Sequence, residues 1–429
     1  MLVAAISLFA SCKKHNDVVA KPVLGTDNTV DTITIGQTLT LHPGVTGAPA
    51  GLTLSWTVNG TAAGTDSTYT FVPTTRGDFQ LVFTATNSGG SSSTTYNIHV
   101  YGKYENGFFL VNEGWYGHGS GTLGFYRYDT RALEDSVFVK ENPGKDLGPN
   151  TSTLEFGTVF NNKLYLLTKI GGPLVAVDAY SLKETGRIAS DPNNDFRAFI
   201  PIDTTRALVS PGNGIYPLNL QTLTLGAPLP AITGEADDMI KAGNYIFVLD
   251  GNGLDILNAA DYSIAKNVSN ITVGFAKAMD GSIWAAGDSD LIRIDPASLD
   301  TSEVALPFEI NGTLGFWHPG SMTASTTENA VFIGYNTYYG GATTIYKYSI
   351  GNAASVSAPW LNVPAGKEIY GSGIAYDKSR NQLILTTVQS GYGANYANND
   401  LDMYDAGTKA IARDLSYIGY FFPALPVFH

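Results

Sequence analysis

One cysteine, Cys12, is all that the 429 residues contain, so no disulfide can close within the chain. Positive charge is scarce as well: 25 Lys and Arg stand against 38 Asp and Glu, for a net charge of −13. With no basic run there is nothing to neutralise a phosphate backbone, which makes the chain a poor partner for nucleic acid. Charge of either sign is thin, at 15% of residues. Beyond the first dozen residues no segment approaches the length of a membrane-spanning helix. The short motifs of catalysis are missing too. There is no Gly-x-Ser-x-Gly elbow, no His-Glu-x-x-His, no phosphate-binding loop and no EF-hand loop.

Present in their place are 47 glycines, which strand-and-turn proteins require, and a unit that returns about every 40 to 50 residues. Each copy has a short apolar strand, a Gly/Asn turn, a second strand ending near Asp or Asn, and a turn that often carries Leu. It reads Phe108–Val111 with Leu123–Asp129, Lys163–Leu167 with Leu174–Asp178, and Ala207–Ser210 with Ile215–Asn219. It goes on as Tyr245–Leu249 with Leu254–Asn258, Ile283–Ala286 with Leu291–Asp295, Ala330–Ile333 with Thr344–Tyr348, and Gln382–Leu385 with Leu401–Asp405. One four-stranded sheet cannot bury both faces, but several packed in a ring can. An all-strand repeat of this length therefore predicts a seven-bladed β-propeller. Six copies open with an extra strand that the first lacks. The apolar tail Tyr420–Phe428 is expected to supply it and close the ring, removing the open edges.

The chain exceeds the usual size for one core, so a second domain is expected. From 29 to 102, period-two runs such as Phe79, Leu81, Phe83, Ala85 and Tyr96, Ile98, Val100 predict a small immunoglobulin-like β-sandwich, with Trp56 in its core. Its segments Trp56–Gly60, Tyr69–Phe71 and Thr84–Gly89 resemble the polycystic-kidney-disease (PKD) type of module, a common spacer on bacterial surface proteins. The apolar Leu2–Ser11 ends in small residues directly before Cys12. That resembles a bacterial lipobox, whose thiol is lipidated and becomes the new N-terminus. No Lys or Arg precedes the apolar run, a departure from the usual leader. On this reading 1–12 is a signal segment, 13–28 a flexible polar tether, and 104–429 the propeller.

Long aromatic loops crowd one face of the predicted propeller: 112–121, 309–320, 334–341, 367–371 and 389–400. The opposite face has terse turns such as Asn161-Asn162-Lys163. Exposed aromatics confined to one face suit ligand binding. The candidate residues are Trp115, Tyr116, His118, Phe316, Trp317, His318, Tyr335, Tyr338, Tyr339, Tyr370, Tyr392 and Tyr396. Most lie on the first, sixth and seventh repeats, which become adjacent when the ring closes. His118 and His318 could meet as metal ligands, but two His without a third ligand make a weak zinc site. Glu155, Asp195 and Asp237 each start an inner strand, and the simplest expectation is that they cap turns in solvent.

Asn112-Glu113-Gly114 followed by a Gly/aromatic loop and Gly124–Asp129 resembles the opening blade of a Bacteroidota surface-lipoprotein family. Its members are labelled YncE-like or as a domain of unknown function. The resemblance covers about 104–429. The best understood relatives are cobalamin-binding propellers beside a TonB-dependent outer-membrane transporter. The resemblance therefore implies a lipid-anchored cell-surface protein of the outer membrane that captures a corrinoid as ligand rather than cofactor and passes it on, without being an enzyme. It carries over no cobalamin contact residue by residue. The alternatives are a calcium-dependent propeller lactonase or lyase using channel carboxylates, and a structural, adhesive or glycan-binding surface protein.

Overall fold

A computed structural model describes residues 19–25, 30–47, 51–269, 271, 273–287, 289–313, 320–337 and 340–429. Cys12 and the signal segment lie outside them. The chain divides into two compact units, Met1–Lys103 and Tyr104–His429.

The first unit holds a five-stranded sheet in the spatial order Thr32–Thr34, Gly90–Tyr101, Gly77–Asn87, Thr53–Val58, Thr61–Gly64. Two short pairs accompany it: Leu39–Leu41 with Tyr69–Phe71, and Val23–Leu24 with Val45–Thr46. Period-two alternation decides which side chains go inside. Leu81, Phe83 and Ala85 on one long strand, and Tyr96, Ile98 and Val100 on its partner, turn to the core. Trp56 is buried among them, 4.7 Å from Phe83 between ring centroids, and its indole N–H donates to the Asp66 carbonyl.

The second unit is propeller-like. Its described residues form seven four-stranded antiparallel sheets. Six are built from consecutive strands, as in Thr153–Phe160, Lys163–Lys169, Leu174–Asp178, Glu184–Ile188. The sheet at the start of the unit has only Gly107–Asn112, Thr122–Arg127 and Leu133–Glu134 of its own, and Pro423–Val427 completes it. Phe109 pairs with Val427 and Val111 with Leu425. The leading strands of the other six start at Thr153, Ala198, Ala236, Gly274, Met322 and Lys367. They touch in succession, and Pro423–Val427 touches both the first and the last of them. The middle strands explain the short continuous apolar runs. Phe108–Val111, Leu164–Leu167 and Ile246–Leu249 are buried on both faces, each strand lying between two neighbouring sheets.

The Asp or Asn at or just after the end of the third strand in five of the sheets also has a structural cause. Asp178 Oδ1 accepts the backbone N–H groups of Tyr180 and Ser181 at 3.1 and 2.8 Å. The chain then turns through Leu182 at φ 58°, whose N–H reaches the Asp178 carbonyl. The same backbone turn recurs at Asn219/Leu223, Asn258/Tyr262, Asp295/Leu299 and Asp405/Lys409, with φ between 52° and 66°; Asn219, Asp295 and Asp405 also accept backbone N–H groups through the side chain, whereas the Asn258 amide donates to Ser263. A non-glycine residue in this region is unfavourable by roughly 1–2 kcal/mol, and the Asx turn offsets it locally. In four sheets the residue after the Asp or Asn donates to the turn joining the first two strands, as from Ala179 to Asn162 and from Ala259 to Asn244. That face is short and tied down. The other face carries the longer loops.

Candidate functional site

The loop between Gly107–Asn112 and Thr122–Arg127 is pinched at its base. Gly114 and Gly121 have φ of 80° and 90°. A Cβ on Gly114 would lie 2.4 Å from the Gly121 nitrogen, and one on Gly121 2.4 Å from the Asn112 carbonyl oxygen. Only glycine suits both places. The pinch lets Glu113 and Gly114 donate to the carbonyls of Phe422 and Phe421, at 2.8 and 2.9 Å. These two bonds lay the loop against the segment leading into Pro423–Val427.

Trp115 therefore meets Tyr420, with 4.4 Å between ring centroids, and it meets His118 at 3.8 Å on its own loop. A cavity of about 380 Å³ opens here, lined by Trp115, His118, Tyr420 and Phe421 with Gly114, Gly119 and Gly121. The rings continue away from it. Phe422 stands 6.4 Å from Tyr420, 5.5 Å from Tyr370 and 5.7 Å from Tyr396, and Tyr396 stands 6.0 Å from Tyr392. Trp115, Tyr116, Tyr420 and Tyr392 are exposed, Tyr392 most of all at 73%, while Tyr370 and Phe422 are buried beneath them. The result is an aromatic path running from the first sheet to the seventh.

Under the path lies a buried ionic cluster. Lys169 Nζ, on the second sheet and 1% exposed, sits 2.5 Å from Glu113 Oε1 and 2.7 Å from Glu155 Oε2. The Tyr370 hydroxyl donates to the other oxygen of Glu113. Burial pushes Glu155 up from its ordinary value; Lys169 opposes the shift and the neighbouring Glu113 adds to it. Burial, with the Glu113 charge and hydrogen bond, holds the Tyr370 hydroxyl well above its ordinary value. The next sheets repeat the theme, with Arg197 against Asp195 at 2.6 Å, Asp237 at 3.5 Å and Glu235. Burial raises Asp237 to about 6.

The structure thus brings together Trp115, His118, Tyr370, Tyr392 and Tyr396 along the first and seventh sheets, while Tyr116 is exposed on the Trp115 loop outside the cavity lining. Tyr370 supports the path from below, because its hydroxyl is committed to Glu113. Tyr335 stands apart, packed on Phe308 at 5.5 Å. Phe316, Trp317, His318, Tyr338 and Tyr339 lie outside the described residues, so the His118–His318 pairing does too. No group of three His, Cys, Asp or Glu among the described residues could hold a metal ion. Of the carboxylates expected as solvated caps, Glu155 needs correction: it is buried at the bulge between Leu154 and Phe156, which turns it toward Lys169. Asp195 does cap a turn, its Oδ1 accepting the Ile170 N–H at 2.9 Å, while its other oxygen pairs with Arg197, and Asp237 lies 3.5 Å from the same guanidinium. Sequence reasoning passed over Glu113, Lys169, Tyr420 and Phe422 as site residues. The only signals were Glu113 inside Asn-Glu-Gly and the aromatic pair-and-a-half ahead of the closing strand.

Residues 106–429 match the model of a domain of unknown function, DUF5074. The chain belongs to this family. No curated protein matches it. Among solved structures it is similar to a quinonprotein alcohol dehydrogenase-like protein from Bacteroides thetaiotaomicron. The two are 20% identical, with 95% of this chain and 99% of that one covered and a TM-score of 0.62. At that identity the likeness is one of fold. A looser match is PorZ, a surface component of the type-IX secretion system of Porphyromonas gingivalis. It is 13% identical with a TM-score of 0.41 over 81% of this chain and 44% of that one, too loose to bear on this protein. DUF5074 membership and the Bacteroides structure support a propeller family of unknown function from the Bacteroidota.

Proposed function

We propose that this DUF5074 protein is a ligand-capturing surface protein. Its aromatic path would take up a bulky, weakly charged small molecule, with a corrinoid as the first ligand to test, for delivery to a TonB-dependent outer-membrane transporter. On this reading the seven sheets are the blades of a propeller closed by Pro423–Val427. The first unit is a PKD-type immunoglobulin-like spacer, and Cys12 carries the lipid that anchors the chain at the cell surface.

The observation that carries the proposal is Trp115 held between His118 and Tyr420 over the cavity of about 380 Å³. Aromatic rings give large contact area for little ordering entropy, and glycines let a ligand approach the backbone. The strongest ionic groups nearby, Glu113, Lys169 and Glu155, are buried and spent on one another, which favours binding over acid–base chemistry. A corrinoid is larger than this cavity. One edge would enter it while the macrocycle lies across Tyr396 and Tyr392. A glycan is the second reading, because the exposed faces of Trp115 and Tyr392 also suit sugar rings. Absorbance titration with cobalamin beside a glycan panel tests both, and an intact protein that binds neither would contradict them.

A further inference from the structure

A second cavity plays no part in that reading. It measures about 260 Å³ and lies within the ring, walled by leading strands of several sheets. Asp238 comes from the fourth, Phe275 from the fifth, Met322 from the sixth, Ala375 from the seventh, and Leu425 and Phe428 from the closing segment. The wall is mixed: Phe275, Met322, Ile374, Leu425 and Phe428 are apolar, while Thr323, Ser372 and Tyr376 bring hydroxyl groups. Asp238 is the only acid among the described lining residues. Its Oδ1 accepts the Met239 N–H at 2.8 Å. No Lys, Arg or His pairs with it among the described residues, whereas Glu155 has Lys169 and Asp237 has Arg197. Burial raises Asp238 to about 7, with Asp237 adding to the shift.

A half-buried carboxylate beside apolar side chains and without a counter-ion is a place where a ligand's positive charge is favoured. We propose that the chamber within the ring is a second binding site that takes a small organic ammonium ion. Its charge meets Asp238, and its apolar body lies among Phe275, Met322, Leu425 and Phe428. The rings of Phe275 and Phe428 add cation–π attraction for an ammonium held beside them. The chain's net charge of −13 raises the local concentration of cations. The volume, small for a ligand pocket, suits a single-ring amine and excludes the bulky ligand of the aromatic path. The two sites share no lining residue, so either can fail without the other.

Calorimetric titration of the full chain with benzylamine, and with benzyl alcohol as its uncharged counterpart, decides the matter. Wild type should bind benzylamine at least tenfold more tightly than the alcohol. Asp238→Asn should lose at least tenfold in amine affinity. Ala375→Leu, which fills the chamber and keeps the carboxyl, should lose it too, and guards against misfolding of the first variant. Trp115→Ala should bind the amine as wild type does. The proposal is overturned if folded wild type binds no amine, if amine and alcohol bind equally, or if a folded Asp238→Asn keeps the wild-type affinity.

Discussion

The Tyr370 hydroxyl donates a hydrogen bond to Glu113 across 257 residues of sequence, joining the seventh sheet to the loop that carries Trp115. Lys169 of the second sheet holds the other oxygen of the same carboxylate. Three sheets thus depend on one buried side chain, and the aromatic path rests on it.

Lys169→Met would leave Glu113 and Glu155 buried together without a cation. Removing one partner of a buried pair costs about 3–5 kcal/mol. The variant should therefore melt several degrees below wild type by circular dichroism. Tyr370→Phe removes only one donor and should cost about 1–3 kcal/mol. A Lys169→Met protein as stable as wild type would show that the pair is not formed.

The raised carboxyls set the pH dependence. Burial raises folded Glu155 above the free side chain, against the pull of Lys169, and raises Asp237 to about 6 against 3.8. The folded state thus binds protons more tightly than the unfolded one. The stability these groups contribute is complete below the unfolded values and is lost as pH rises through the folded ones. Melting temperature should accordingly fall as pH rises from about 4 through about 6 and beyond, and Glu155→Gln should flatten the slope. A wild-type melting temperature that rises across this window would contradict the assignment.

Much of the fold was legible because the repeat is local. An apolar run, a tight turn and an Asx-stabilised turn through Leu182 or Leu223 all lie within a few dozen residues of one another. The closing strand was legible because the first copy lacked a partner. The ionic cluster was not. Lys169 ends an apolar strand and reads as a solvated terminus, and its partner Glu113 is 56 residues away. Nor does sequence show that Phe422 adopts φ 54° just before the strand begins. That turn leaves Tyr420 facing Trp115, where the apolar tail suggested only a strand.

Deleting Phe421–His429 removes the partner strand of Gly107–Asn112 and the carbonyls that receive Glu113 and Gly114. The ring would be left with two open edges. Loss of the cooperative thermal transition of the second unit is expected. A truncated protein melting as wild type does would rule out closure by this strand.

Cys12→Ser should release a folded protein that incorporates no labelled fatty acid. Labelling that persists in the variant would show that the lipid is attached elsewhere, and a wild-type protein that takes up no label would show that there is none.

The most direct test of the central claim is a cobalamin titration of wild type, Trp115→Ala and Tyr392→Ala. Thr204→Ala serves as control, since Thr204 is exposed on the turn between the first two strands of the third sheet. Asn162 is unsuitable there, because its φ is 63° and it accepts the Tyr180 hydroxyl. Each aromatic that contacts ligand should contribute on the order of 2 kcal/mol. Trp115→Ala should therefore weaken binding roughly thirtyfold, Tyr392→Ala should weaken it in the same direction, and Thr204→Ala should match wild type. Equal affinity in all four proteins would place the site away from the aromatic path.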